Sequence, residues 1–90
     1  MTSQEMSARL ESPHAQTFQA TLTAQYRELF ASDPEYAYAA GRTTPDALAE
    51  KMTIGLITGS ANKDGSGIKR TCKALGIACT YKAIRAYLSW

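Results

Sequence analysis

A chain of 90 residues, 44% of them hydrophobic and 20% charged, has room for one domain with one core and lies away from the composition of disordered proteins. The formal net charge of +2 hides a split. Up to residue 50, Arg9, Arg27 and Arg42 stand against Glu5, Glu11, Glu28, Asp33, Glu35, Asp46 and Glu50, whereas Lys51, Lys63, Lys69, Arg70, Lys73, Lys82 and Arg85 face Asp64 alone in the remainder, so a polyanionic or acidic partner is expected for the second half. No apolar run has the length of a bilayer span, and the opening Met-Thr-Ser-Gln-Glu lacks the pattern of an export signal; the expected compartment is the cytoplasm, with no membrane partner.

Apolar residues recur at three- and four-residue intervals along the chain, and sustained period-two alternation is missing, which predicts an all-α fold. Residues 1–11 offer only Met6 and Leu10 for burial and are expected to form a flexible or frayed N-terminal segment ahead of a single α-helical domain over residues 12–90. Ser12-Pro13 is a helix start, with serine as cap and proline where no amide donor is needed. Ala15, Phe18, Leu22, Tyr26 and Leu29 then mark one stripe of the longest helix, to about residue 31.

Asp33-Pro34 begins a short helical stretch that Gly41 can close, and Thr44-Pro45-Asp46 repeats the start signal. The helix that follows, to about residue 58, has Leu48, Met52 and Leu56 on one side and Ile54 and Ile57 on another. Apolar residues on several faces predict a central, mostly buried helix. The run from Gly59 to Gly67 is polar and glycine-rich. Its Asn62-Lys63-Asp64-Gly65-Ser66-Gly67 matches the first half of a calcium-binding loop, but the positions where that loop needs an apolar residue and a bidentate glutamate hold Lys69 and Lys73. A surface connector is expected instead, with Asp64 or Ser66 capping the next helix.

That helix, about residues 67 to 75, turns Ile68, Cys72 and Leu75 inward and Lys69, Arg70 and Lys73 outward. Gly76 stops it, and Ile77 can fold back as the apolar contact that accompanies a glycine stop. A last helix from about Thr80 carries Tyr81, Ile84 and Leu88 inward, Lys82 and Arg85 outward. The expected architecture is a bundle of about four to five helices.

No residue pattern calls for catalysis, a metal or a cofactor. Cys72 and Cys79 have six residues between them, which fits neither a redox pair nor a zinc site, and Cys72 reads as a small core residue. His14 is the only histidine and sits in the first turn of the longest helix, where no nucleophile can be assigned to it.

The series Ile68, Cys72, Leu75-Gly76-Ile77, Ile84 and Leu88 resembles a generic helix-turn-helix DNA-binding unit over residues 68–88. A small residue lies four before the turn glycine and an apolar one follows it. The chain departs from that pattern at Lys82, where an apolar residue is expected, and Ile84 serves only with a turn about two residues longer. The resemblance implies that the helix starting at Thr80 is the reader, with Thr80, Lys82 and Arg85 at base edges or phosphates and with Lys69, Arg70 and Lys73 on the backbone.

Two functions follow from the residues. One is a small non-catalytic, regulatory protein that binds DNA or RNA through Lys69, Arg70, Lys73, Thr80, Lys82 and Arg85. The other is an adaptor or inhibitor, of the kind a phage or plasmid encodes, that docks on an acidic protein surface of a host nucleic-acid-handling complex. Tyr36, Tyr38 and Trp90 are the candidate contact anchors, and Trp90 can equally serve the contact of a homodimer.

Overall fold

The computed structural model describes residues 2–39, 41, 43–59 and 65–88, with the side chains of residues 37–39 and 57 outside the description. Among the described residues there are six helices and no strand: α1 (Ser3–Leu10), α2 (Pro13–Ser32), α3 (Pro34–Ala39), α4 (Pro45–Thr58), α5 (Ser66–Leu75) and α6 (Tyr81–Leu88). The fold is all-α. Its helices number six rather than the expected four to five, because the first segment and the short stretch after Asp33 are both helical. No described helix is long and apolar enough to cross a membrane.

Local chemistry accounts for most of the helix starts. The Ser12 hydroxyl accepts from the Ala15 amide at 3.2 Å and donates to the Arg9 carbonyl at 2.9 Å, so one side chain starts α2 and ties off the end of α1. Thr2 accepts from Glu5 N at 3.1 Å, Asp33 from Tyr36 N at 3.2 Å, Thr44 from Ala47 N at 3.1 Å, and Thr80 from Ala83 N at 3.1 Å. Pro13 and Pro45 occupy the first turns of α2 and α4, where the missing amide proton has no helical partner to lose. The start of α5 departs from expectation. Its cap is Gly65, with no side-chain cap bond, and Ser66 is already helical; the capping proposed for Ser66 is therefore corrected, and the stretch 60–64, with Asp64 and the calcium-loop likeness, lies outside the described residues.

The core is built on α2. Ala15, Phe18, Leu22, Tyr26 and Leu29 are buried along it, and each of the other five helices packs against it. A fully buried side chain such as Phe18 or Leu22 contributes about 1.5–3 kcal/mol by leaving water. The expectation that α4 would be central is overturned by this arrangement. The inward residues of α4 are Ala49, Thr53 and Leu56, at i, i+4 and i+7, while Leu48 and Met52 flank them half-buried. Small side chains make up most of that stripe, so the larger neighbours that dominate its composition sit at its edges. Burial of the Thr53 hydroxyl carries no penalty because it donates to the Ala49 carbonyl at 2.8 Å, and Thr71 in α5 does the same to Gly67 at 2.8 Å.

Close packing sets the seat of α5. A Cβ on Gly67 would run into the Tyr26 ring, with Cζ at 2.7 Å, so only glycine lets the first turn of α5 lie against that aromatic face. The same ring meets Tyr36 at a centroid distance of 6.4 Å and Phe30 at 6.5 Å, and Phe30 meets Tyr36 edge-on at 5.9 Å. This aromatic group joins α2 to α3. At the far end, α6 buries Ile84 and Leu88, stacks Tyr87 on His14 at 5.0 Å with 22° between the rings, and brings the Tyr81 hydroxyl to 3.5 Å from the Gly59 carbonyl at the end of α4.

Candidate functional site

In α5 the two kinds of residue separate cleanly. Gly67, Ile68, Thr71 and Cys72 are buried, and Lys69, Arg70, Lys73 and Ala74 are exposed. At 100° per residue the three cations lie opposite the centre of the buried set. Lys82 and Arg85 are likewise exposed on α6, away from buried Ile84 and Leu88.

The turn between these helices is fixed by backbone bonds. Gly76 has a left-handed φ of 71°, its amide donates to the Lys73 carbonyl at 3.2 Å, and the Ile77 amide donates to the Cys72 carbonyl at 2.9 Å. This is the paired closure that a glycine after a helix permits, and Ile77 packs against the core as its apolar companion. Residues 76–80 then carry the chain to α6. Both helices pack on α2, α5 against its Tyr26 region and α6 with Tyr87 on His14 at its start.

Beneath the turn, Cys72 is buried and Cys79 half-buried, and neither forms a disulfide. Burial first, then the adjacent Cys79 thiol and its hydrogen bond, pushes the Cys72 thiol up to about 12. A thiol so reluctant to ionise behaves as a small apolar core group. Burial also raises the Tyr26 hydroxyl far above its usual range, with Tyr36 adding to the effect, and raises Tyr36 more modestly.

Charge pairing differs between the two faces. Among the described residues the ion pair is Arg27 Nη2 to Asp46 Oδ1 at 3.2 Å, joining α2 to α4. No carboxylate among them pairs with Lys69, Arg70, Lys73, Lys82 or Arg85. Among the described residues no paired carboxylate offsets their positive charge.

Arg70, Lys73 and Ala74 of α5 and Gln25 of α2 line a wide, shallow hollow of about 580 Å³. Arg70 and Lys73 are thus brought to one concavity, and Lys69 lies on the same exposed side of their helix. Lys82 and Arg85 occupy the outward side of α6, the next helix in the chain. Thr80 is a helix cap; its hydroxyl oxygen is engaged by the Ala83 amide, which leaves its proton for another acceptor. Gln25 was not legible as a site residue. It borders the buried stripe beside Leu22 and Tyr26, but which border faces α5 depends on the tertiary packing.

The proposed anchors fall in different places. Tyr36 is half-buried in the aromatic group between α2 and α3, whereas the side chain of Tyr38 and the whole of Trp90 lie outside the described residues. His14 is exposed and lies flat against Tyr87. Among the described residues no three His, Cys, Asp or Glu side chains gather as metal ligands. The chain matches no protein family, no curated protein and no solved structure with which it was compared.

Proposed function

We propose that the protein is a non-catalytic, regulatory binder of nucleic acid that uses the outward sides of α5 and α6. The observation that carries this reading is the set Lys69, Arg70, Lys73, Lys82 and Arg85, all exposed and none paired with a carboxylate among the described residues. A surface whose only task is solubility interleaves both signs. Cations on successive helices, unpaired among the described residues, instead suit a ligand that presents regularly spaced negative charge and releases counterions as it binds.

The helix-turn-helix likeness gives this face a division of labour. In that reading α6 approaches the bases with Lys82, Arg85 and the Thr80 hydroxyl, while Lys69, Arg70 and Lys73 hold the phosphates. The glycine turn at residue 76 and the apolar contact of Ile77 support the reading, because they set the direction in which the chain leaves α5.

An acidic protein surface is the rival ligand. Protein interfaces centre on a few large, desolvated anchors, aromatic residues above all. On the described outward sides of α5 and α6 the exposed residues other than cations are small, Ala74 and Ala86 among them, and this favours nucleic acid. Binding of labelled duplex, single-stranded DNA and RNA at two salt concentrations separates the two. Nucleic acid as ligand gives an affinity that drops steeply with salt, and Lys73→Ala reduces the logarithmic slope by about one unit. Salt-insensitive binding to all three, or losses confined to Tyr36→Ala or Trp90→Ala with a protein partner, would overturn the proposal.

A further inference from the structure

We infer that the hollow lined by Gln25, Arg70, Lys73 and Ala74 is a seat for one phosphodiester group, in which Gln25 is a ligand-contacting residue. This inference rests on the nucleic-acid reading above and extends it to a second helix, since Gln25 belongs to α2 and carries no charge.

The four residues have complementary chemistry. Arg70 supplies a planar fork of N–H donors matched to two phosphate oxygens, and Lys73 supplies a compact charge with freely rotating donors. Gln25 adds an amide N–H₂ from α2, a directional donor that holds an oxygen without adding net charge. Ala74 contributes only a methyl group, which leaves the hollow unobstructed on its side. The neighbouring carboxylate on α2, Glu28, lies one helical turn beyond Gln25, is exposed and pairs with neither cation among the described residues. It would repel an acidic chain lying along α2 more than a phosphate confined to the α5 side.

The shape of the hollow restricts the ligand. A volume of about 580 Å³ in a wide, shallow form cannot enclose a metabolite, which normally has most of its surface buried in its site. A polymer backbone needs only one group seated while the remainder runs on across the protein. A contact of that kind fixes register and orientation and reads no sequence. Gln25 is half-buried on the rim of the packed face of α2, so its reach is more restricted than that of the exposed lysines and the entropy lost on engaging a ligand is smaller.

The test is quantitative binding of a labelled oligonucleotide, duplex and single-stranded, by the full chain and by four variants, each checked for helical content and melting temperature. Gln25→Ala is expected to weaken binding about three- to tenfold, uniformly across sequences, with the salt slope unchanged because no counterion contact is lost. Gln25→Lys is expected to tighten binding and steepen the slope by about 0.9 unit. Ala74→Glu, at an exposed helical position whose own fold is not at stake, places a carboxylate beside Arg70 and Lys73 and is expected to weaken binding by more than Gln25→Ala. Lys73→Ala lowers both affinity and slope.

Affinities of Gln25→Lys and Ala74→Glu that both stay within about twofold of the parent, while Lys73→Ala loses binding, would overturn the seat and leave the nucleic-acid reading standing. Failure of the parent protein to bind any oligonucleotide in a salt-dependent way would remove that reading, and the seat with it.

Discussion

The α2–α4 side and the α5–α6 side of this molecule treat charge in opposite ways. Between α2 and α4, Arg27 meets Asp46 at 3.2 Å and both signs occur together. On α5 and α6, Lys69, Arg70, Lys73, Lys82 and Arg85 face solvent with no carboxylate paired to them among the described residues. Both sides are built on the same central helix and obey the same inside–outside pattern, so the contrast does not come from folding requirements. It shows that the outer residues of a small helical protein are free to vary, and that a single-signed set among them reflects something other than the core.

Substitutions can break this comparison at its root or refine it at the surface. The largest effect is expected from Phe18→Ala. This side chain is completely buried in the helix that touches all the others, and removing it should cost about 3–5 kcal/mol in urea or thermal unfolding; a loss under about 1 kcal/mol would show that α2 is not the hub. Next is Gly67→Ala, which forces a methyl group into the Tyr26 ring. It should cost about 1–3 kcal/mol and should loosen α5 selectively, seen as faster amide exchange over residues 66–75 than in α4.

Raising the pH should separate the core from the surface in a third way. The Cys72 thiol ionises near 9.0 when unfolded and is held up to about 12 in the folded protein, and Tyr26 is shifted upward from 10.0 in the same sense. Above pH 9 the unfolded chain therefore releases protons that the folded chain keeps, which makes stability full below pH 9 and progressively lost as pH rises towards 12. Denaturation midpoints between about pH 8 and pH 11 read this directly, and Cys72→Ala should postpone the decline to the tyrosine range. The smallest effect belongs to Arg27 and Asp46. Their side chains are 66% and 70% exposed, so a double-mutant cycle should return about 0.2–1 kcal/mol at low salt and close to nothing at 1 M salt. A larger coupling would mean that this pair, rather than apolar packing, locks α4 onto α2.

Those outcomes depend on features of unequal visibility in the sequence. The starts of α2 and α4 were legible because Ser12-Pro13 and Thr44-Pro45 satisfy a local rule, and the stop at Gly76 was legible for the same reason. The inner and outer faces of α5 and α6 were legible from spacing alone, with Ile68 and Cys72 against Lys69, Arg70 and Lys73. The hub was not. Leu48, Met52, Ile54 and Leu56 make α4 the more hydrophobic helix to the eye, but of these only Leu56 is buried, and it shares the inward stripe with the small side chains Ala49 and Thr53. Two further features depend on residues far apart in the chain: Gly67 under the Tyr26 ring, and Gln25 lining the same hollow as Arg70 and Lys73. Local pattern has no access to either, because each is created by the way α5 is seated.

The position of α2 also governs what can be cut away. Stretches of ten and eight residues such as α5 and α6 are too short to hold a helical shape alone in water, and their supports lie in a segment that ends more than thirty positions earlier, at Ser32. A synthetic peptide covering residues 65–88 would keep Lys69, Arg70, Lys73, Lys82 and Arg85 and still lack a defined arrangement of them. The cationic surface is thus a property of the whole assembled chain, inherited from an N-terminal helix that contributes no positive charge to it.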